Sequence, residues 1–130
     1  VPLCEHKRVG ILTWSPLAGG YLSGKYRKGI QGRRTASLDG GFPPVDTAHG
    51  DKVLDLLAEI AKKRGIGEAA VALAWVIARP YVTSVILGAK DTRQLSENLK
   101  AAALNLTDDE IRRLDEVSAR PLPYPQWMVM

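Results

Sequence analysis

The 130-residue sequence predicts an α/β fold of parallel strands covered by helices, and three observations carry that expectation. The apolar pattern runs strand, loop, two helices, strand, two helices, an alternation that favours parallel pairing. One of the helices is apolar nearly all round, so it needs neighbours on every side. Both strands run into loops containing glycine and lysine, and parallel pairing would bring those loops to the same end of the sheet.

Taken in order, Val9 to Ser15 has the length and the β-branched and aromatic content of a buried strand, stopped by Pro16, which lacks a ladder donor. A glycine-punctuated stretch follows, Gly19 to Tyr26. From Arg27 to Gly50 no period is sustained, and Gly40-Gly41-Phe42-Pro43-Pro44 contains helix breakers, so 27–50 reads as a long functional loop. Asp51 then opens a helix with Val53, Leu54, Leu56, Leu57, Ile60 and Ala61 on one face, closed by Lys62-Lys63-Arg64 and Gly65. Glu68 to Arg79 is the alanine-rich, enclosed helix, ended by Pro80, and Trp75 within it reads as core. Tyr81 to Leu87 is the second strand. Asp91 and Gln94 have capping-box spacing ahead of Leu95, Leu99 and Ala102, and Thr107 and Glu110 repeat that spacing ahead of Ile111, Leu114 and Val117. The tail from Pro121, with three prolines, reads as extended.

Composition narrows the class. With 45% apolar and 25% charged residues the chain has the balance of one globular domain, and no window approaches the roughly 18 apolar residues of a membrane helix. A lone Cys4, read as a small buried hydrophobe, excludes a disulfide framework and a cysteine metal site and fits a reducing, cytoplasmic compartment. The opening Val1-Pro2-Leu3-Cys4-Glu5 has no signal pattern and reads as the middle of a longer chain. Net charge is +4, but residues 1–34 hold seven Lys/Arg and one acid, Glu5. That local excess suits a phosphate-bearing ligand and is too small and aromatic-poor for a nucleic-acid groove.

Two loops could carry chemistry. Gly19, Gly24 and Lys25 fit the first seven positions of a phosphate-cradling P-loop, but Tyr26 stands where Ser or Thr must hold magnesium. Gly88-Ala89-Lys90-Asp91-Thr92 puts a glycine and a cation at the start of a capped helix, an anion site by geometry. His6 and His49 are isolated, with no acid or nucleophile at motif spacing.

At residue level, Thr13-Trp14-Ser15-Pro16-Leu17-Ala18-Gly19-Gly20, Ser23-Gly24-Lys25-Tyr26 and Val85-Ile86-Leu87-Gly88-Ala89 with Gln94-Leu95 and Glu97-Asn98 closely resemble the C-terminal part of the aldo-keto reductases. The likeness covers nearly the whole chain and is greatest to the bacterial general-stress-type members and the beta subunits of voltage-gated potassium channels. It implies the C-terminal portion of a TIM (β/α)8 barrel, strands seven and eight with their helices, with residues 1–130 as an incomplete domain and 27–50 as a cofactor lid. It implies NADP(H) across the strand ends: Trp14 stacked on nicotinamide, Ser15, Pro16, Leu17, Gly19 and Lys25 along the pyrophosphate, and Arg33 or Arg34 from the lid. Gly88 and Lys90 would meet the adenosine 2′-phosphate, where the family more often has Arg or Ser, and Gln94, Glu97 and Asn98 the adenine. Without the surrounding Ser-Pro-Leu, Trp14 would read as a core aromatic at a strand end.

The family's catalytic Asp, Tyr, Lys and His lie on earlier strands, so no catalytic residue carries over and the chain alone is expected to be inactive. A full-length relative would reduce an aldehyde or ketone. The alternatives are a channel-beta-like nucleotide-sensing subunit or a fragment without independent function. No nucleic-acid partner and no membrane insertion are expected. Two strands cannot close a barrel, so Ile11, Val85 and Leu87 are expected to lose their cover and an isolated chain to self-associate.

Overall fold

The computed structural model describes residues 1–26 and 45–121. The chain opens on α1 (Pro2–Lys7), with proline in its first turn and Arg8 at φ 54° ending it. No residue of α1 is buried, so no apolar period announces it in the sequence, and Cys4 is only half-buried. Strand β1 (Ile11–Trp14) leads into a 3₁₀ turn at Ala18–Ser23; α2 (Thr47–Arg64), α3 (Glu68–Ile77), β2 (Val82–Ile86), α4 (Thr92–Leu99) and α5 (Asp108–Ser118) follow, with a second 3₁₀ turn at Lys100–Ala103.

The strands pair in parallel, Leu12 opposite Ser84, Thr13 opposite Val85 and Trp14 opposite Ile86. The register slips between Ile11 and Leu12, where the Ile11 N–H donates to the Thr83 hydroxyl at 3.0 Å. Gly10 permits that approach: a Cβ there would lie 2.8 Å from Thr83 Oγ1. As the alternation of elements predicts, the sheet is parallel with helices against it.

Helix α3 is the centre of the packing. Five consecutive residues, Ala70 to Ala74, are buried, and the three alanines among them let the helix sit close to its neighbours. On one side Val71 and Ala72 join Leu54, Leu57, Ile60 and Ala61 of α2 and Leu114 of α5. On the other, Ala70, Leu73 and Ala74 join Ala101, with Val85 and Leu87 against them. Each large aliphatic side chain fully buried in this way contributes about 1.5–3 kcal/mol. Arg64 pairs with Glu110 and Arg113 with Glu59, both joining α2 to α5. Arg79 pairs with Asp115 and lies 4.3 Å from the Trp75 ring centroid, and the Trp75 N–H donates to the same carboxylate at 2.8 Å, joining α3 to α5.

Several expectations change. Helix α2 begins at Thr47, four residues before Asp51, because Asp46 accepts the His49 N–H at 3.2 Å and caps it; 47–50 are therefore its first turn. Asp91 does cap α4, accepting the Gln94 N–H at 2.7 Å, but the Gln94 side chain accepts from the Lys90 N–H at 2.9 Å rather than closing a box on Asp91. The Thr107–Glu110 box forms completely. The apolar stripe of α4 is not its buried side: Leu95 and Leu99 are exposed and Asn98 is buried. Nor are Ile11, Val85 and Leu87 the uncovered strand residues; they are half-buried, and Leu12, Trp14 and Ile86 on the opposite face are exposed. Arg33, Arg34, most of 27–50 and the tail beyond Pro121 lie outside the described residues.

Candidate functional site

Parallel pairing with Trp14 opposite Ile86 brings the loops after β1 and β2 out side by side. The first loop is a tight, internally bonded turn. Ser15 stands at φ 53° and Ala18 at φ 48°, both left-handed without being glycine, a conformation that costs roughly 1–2 kcal/mol per residue. Three kinds of bond hold it: Ser15 Oγ accepts from the Gly19 N–H at 3.2 Å, Ser15 O from the Ala18 N–H at 2.9 Å, and Leu17 O from the Gly20 and Leu22 N–H groups at 2.9 and 3.1 Å. The Ser23 hydroxyl donates to Gly20 O at 2.6 Å. Backbone strain of this kind, concentrated at the end of a strand, is characteristic of functional turns.

Within the turn the residues divide by direction. Trp14 is 63% exposed at the rim of the sheet face. Leu17 packs between both buried clusters and anchors the turn to the helices. Pro16 lines a cavity of about 260 Å³ on the helical side, whose walls include Leu22, Val53, Trp75 and Leu114. Lys25 is exposed, its ammonium 4.8 Å from the Tyr26 ring centroid. Since the Ala18, Gly19 and Gly20 amides are engaged inside the turn, the stretch Gly19 to Lys25 is not the open amide cradle of a P-loop.

Past β2, Gly88 and Lys90 are exposed, and nothing lies within 4 Å of where a Gly88 side chain would begin. The start of α4 already holds an anion, the Asp91 carboxylate on the Gln94 N–H, so the positive charge for an incoming anion falls to Lys90. The three residues further along do not share a surface. Gln94 folds back on Lys90, Glu97 pairs with Lys100 at 2.7 Å, and Asn98 is only 3% exposed.

Two positioning contacts have weak sequence signals. The Tyr21 hydroxyl donates to Asp51 at 2.5 Å, tying the turn to α2, and its ring lies against Gly50. Glu68, at the first position of α3, rests on Gly24, whose φ of 73° and lack of a side chain both suit the approach. A glycine in the first turn of a helix was the one signal for the first contact, visible only once α2 starts at Thr47. His49 lies 3.4 Å from the Ser118 carbonyl and joins α2 to α5, while His6 is exposed. Among the described residues there is no group of three metal-ligating side chains, and no helix is long and apolar enough to cross a membrane.

Parallel pairing puts the strained turn and the lysine-bearing loop at the carboxyl ends of neighbouring strands, the end at which open α/β sheets carry their sites. The family assignment is more specific. Residues 1–119 match the model of the Aldo/keto reductase family, and the chain belongs to that family. Among similar proteins, an uncharacterized oxidoreductase, YrpG, of Bacillus subtilis is 34% identical over 122 residues, 93% of this chain and 36% of that protein. A putative voltage-gated potassium channel subunit beta of Schizosaccharomyces pombe is 36% identical over 127 residues, 90% of this chain and 36% of that protein. L-glyceraldehyde 3-phosphate reductase of Escherichia coli K12 is 35% identical over 118 residues, 86% of this chain and 34% of that protein. The chain therefore spans about a third of the length of these relatives.

Proposed function

We propose that this chain is the NADP(H)-binding, C-terminal portion of a carbonyl reductase barrel, the part that supplies strands seven and eight. The observation that carries the reading is the turn at Ser15–Gly20, strained at Ser15 and Ala18 and placed between the exposed Trp14 and the exposed Lys25. The nicotinamide and phosphate ends of the cofactor have suitable groups. The Trp14 indole offers a flat face for stacking, Ser15 and Lys25 border the pyrophosphate path, and Lys90 beside Gly88 supplies a point charge for the 2′-phosphate. Arg33 and Arg34, proposed to come from a lid in 27–50, fall outside the described residues. The adenine end is less complete: Gln94 and Glu97 are engaged locally and Asn98 is buried, so adenine recognition by all three requires α4 to shift.

The cofactor, when bound, supplies the hydride; this chain's part is to hold it, orient one face of the ring and neutralise its phosphates. Protonation of the carbonyl oxygen belongs to residues outside this stretch, and the substrate of the whole protein is an aldehyde or ketone. A cytoplasmic site of action goes with this reading, on the strength of the single cysteine.

The test is a titration with NADPH. Saturable quenching of tryptophan emission with energy transfer to the reduced ring is expected, most of it lost in Trp14→Ala; no saturable change in the wild type would refute the pocket. The similarity to proteins named as potassium channel beta subunits supports a second reading, a nucleotide-sensing regulatory subunit. Co-purification with a membrane channel would select it.

A further inference from the structure

Tyr21 stands at the junction of the turn that follows β1. Its neighbours Gly20 and Leu22 both donate their amides to Leu17 O, and its own carbonyl accepts the Gly24 N–H at 3.2 Å, just before Lys25. Lys25 then folds back over Gly20, its Nζ 3.3 Å from where a side chain there would begin. Gly20 and Gly24, at φ 97° and 73°, give this backbone the freedom that only glycine has. A shift of Tyr21 would shear both bonds to Leu17 O and carry Lys25 with it.

The Tyr21 side chain opposes such a shift. Its hydroxyl donates to Asp51 Oδ1 at 2.5 Å, with the Thr47 carbonyl 3.4 Å away, both in the first turns of α2. Its ring occupies the space that Gly50 leaves, where a Cβ would lie 2.6 Å from Tyr21 Cε1. Glycine inside a helix weakens it, so a buried glycine at this point of α2 is explained by the ring that enters beside it. Helix α2 is in turn fixed by Leu54, Leu57 and Ile60 in the core. One side chain thus joins a glycine-loosened turn to a packed helix.

We propose that Tyr21 is a positioning residue: through Asp51 and Gly50 it holds the Ser15–Gly20 turn and Lys25 in the placement that a nucleotide phosphate requires. The nucleotide part rests on the reading of that turn given under Proposed function; the hold on the turn does not. Tyr21 acts through the groups it fixes, and its hydroxyl is spent on Asp51. A binding turn built on glycine gains its accuracy from such a contact, because its own backbone does not supply it.

The test is a pair of measurements on Tyr21→Phe, which keeps the ring against Gly50 and removes the donor. Without nucleotide, the amides of Gly20, Leu22 and Gly24 are expected to exchange hydrogen about fivefold faster, while those of Val71 to Ala74 in α3 keep their rates. With NADPH, the Kd is expected to rise about fivefold and energy transfer from tryptophan at saturation to fall. Asp51→Ala should reproduce both effects from the other side of the bond. Asp51→Asn, which keeps an acceptor oxygen, should restore wild-type values, and Tyr21→Phe/Asp51→Ala should be no worse than either single change. Unchanged exchange in the turn would overturn the proposal. So would equal acceleration in α3, additive effects in the double variant, or no rescue by Asp51→Asn. If the turn loosens as expected but the wild type shows no saturable NADPH binding, the hold on the turn stands and the nucleotide reading falls. Equal NADPH affinity of the wild type and Tyr21→Phe would leave that reading intact and remove the positioning role.

Discussion

Ser15 Oγ accepts the Gly19 N–H at 3.2 Å across a turn in which Ser15 itself stands at φ 53°. The hydroxyl thus holds closed a turn whose backbone would otherwise open, and the two effects can be separated. Ser15→Ala loses the acceptor and keeps the strain, a net loss of about 1 kcal/mol. Ser15→Gly loses the acceptor and relieves the strain. The melting temperature is expected to be lower for Ser15→Ala than for Ser15→Gly, with NADPH affinity weakened in both; the reverse order of stability would contradict this account.

Gly24→Ala meets two obstacles, the left-handed φ of 73° and the Glu68 carboxylate. A destabilisation of about 2 kcal/mol is expected. In a Glu68→Ala background the steric part disappears and about 1 kcal/mol of backbone strain remains. Urea midpoints for the four members of this cycle measure the coupling, and strict additivity would show that the two residues do not interact.

The Arg64 guanidinium, bonded to Glu110, holds that carboxyl below its ordinary 4.5, against the opposing effect of burial, and the Thr107 N–H adds to the lowering. Arg79, with the Trp75 N–H, holds Asp115 below its ordinary 3.8 in the same way. A folded-state value below the unfolded one means that the stabilisation is complete above the unfolded value and is lost as pH falls through the folded one. Wild-type stability should therefore decline below about pH 4.5 and continue to decline further into acid. Glu110→Gln should be less stable at neutral pH, with the gap to wild type closing in that acid range. A gap independent of pH, read from urea midpoints, would rule out the carboxylate as its origin.

Carbonyl reduction needs a positioned proton donor as well as hydride. Tyr21 donates its hydroxyl to Asp51 rather than standing free as a donor. The purified chain with NADPH is expected to consume no aldehyde above the uncatalysed rate, followed at the nicotinamide absorbance. Turnover that survives removal of contaminating reductases would disprove it.

What the sequence determined by itself was local. Asp91 and Thr107 mark helix starts because a short oxygen-bearing side chain satisfies amides three residues on, whatever surrounds it, and both do so. Alanine density in α3 foretold an enclosed helix, and the order of strands and helices foretold parallel pairing. The motifs around Trp14 and Gly88 fall at the ends of the two paired strands. Tertiary structure decided the rest. Period-two alternation separates Leu12, Trp14 and Ile86 from Thr13 and Val85 without telling which set faces the helices; packing against Leu73 and Ala101 made that choice. The Asp46 cap moved the start of α2, and with it set Gly50 against Tyr21. The α4 stripe of Leu95 and Leu99 read as the buried side, yet the orientation of the helix against α3 buried Asn98 instead. A residue's neighbours along the chain fix its backbone preferences, but which of its faces meets protein depends on elements distant in sequence, and that energy is counted only when they pack.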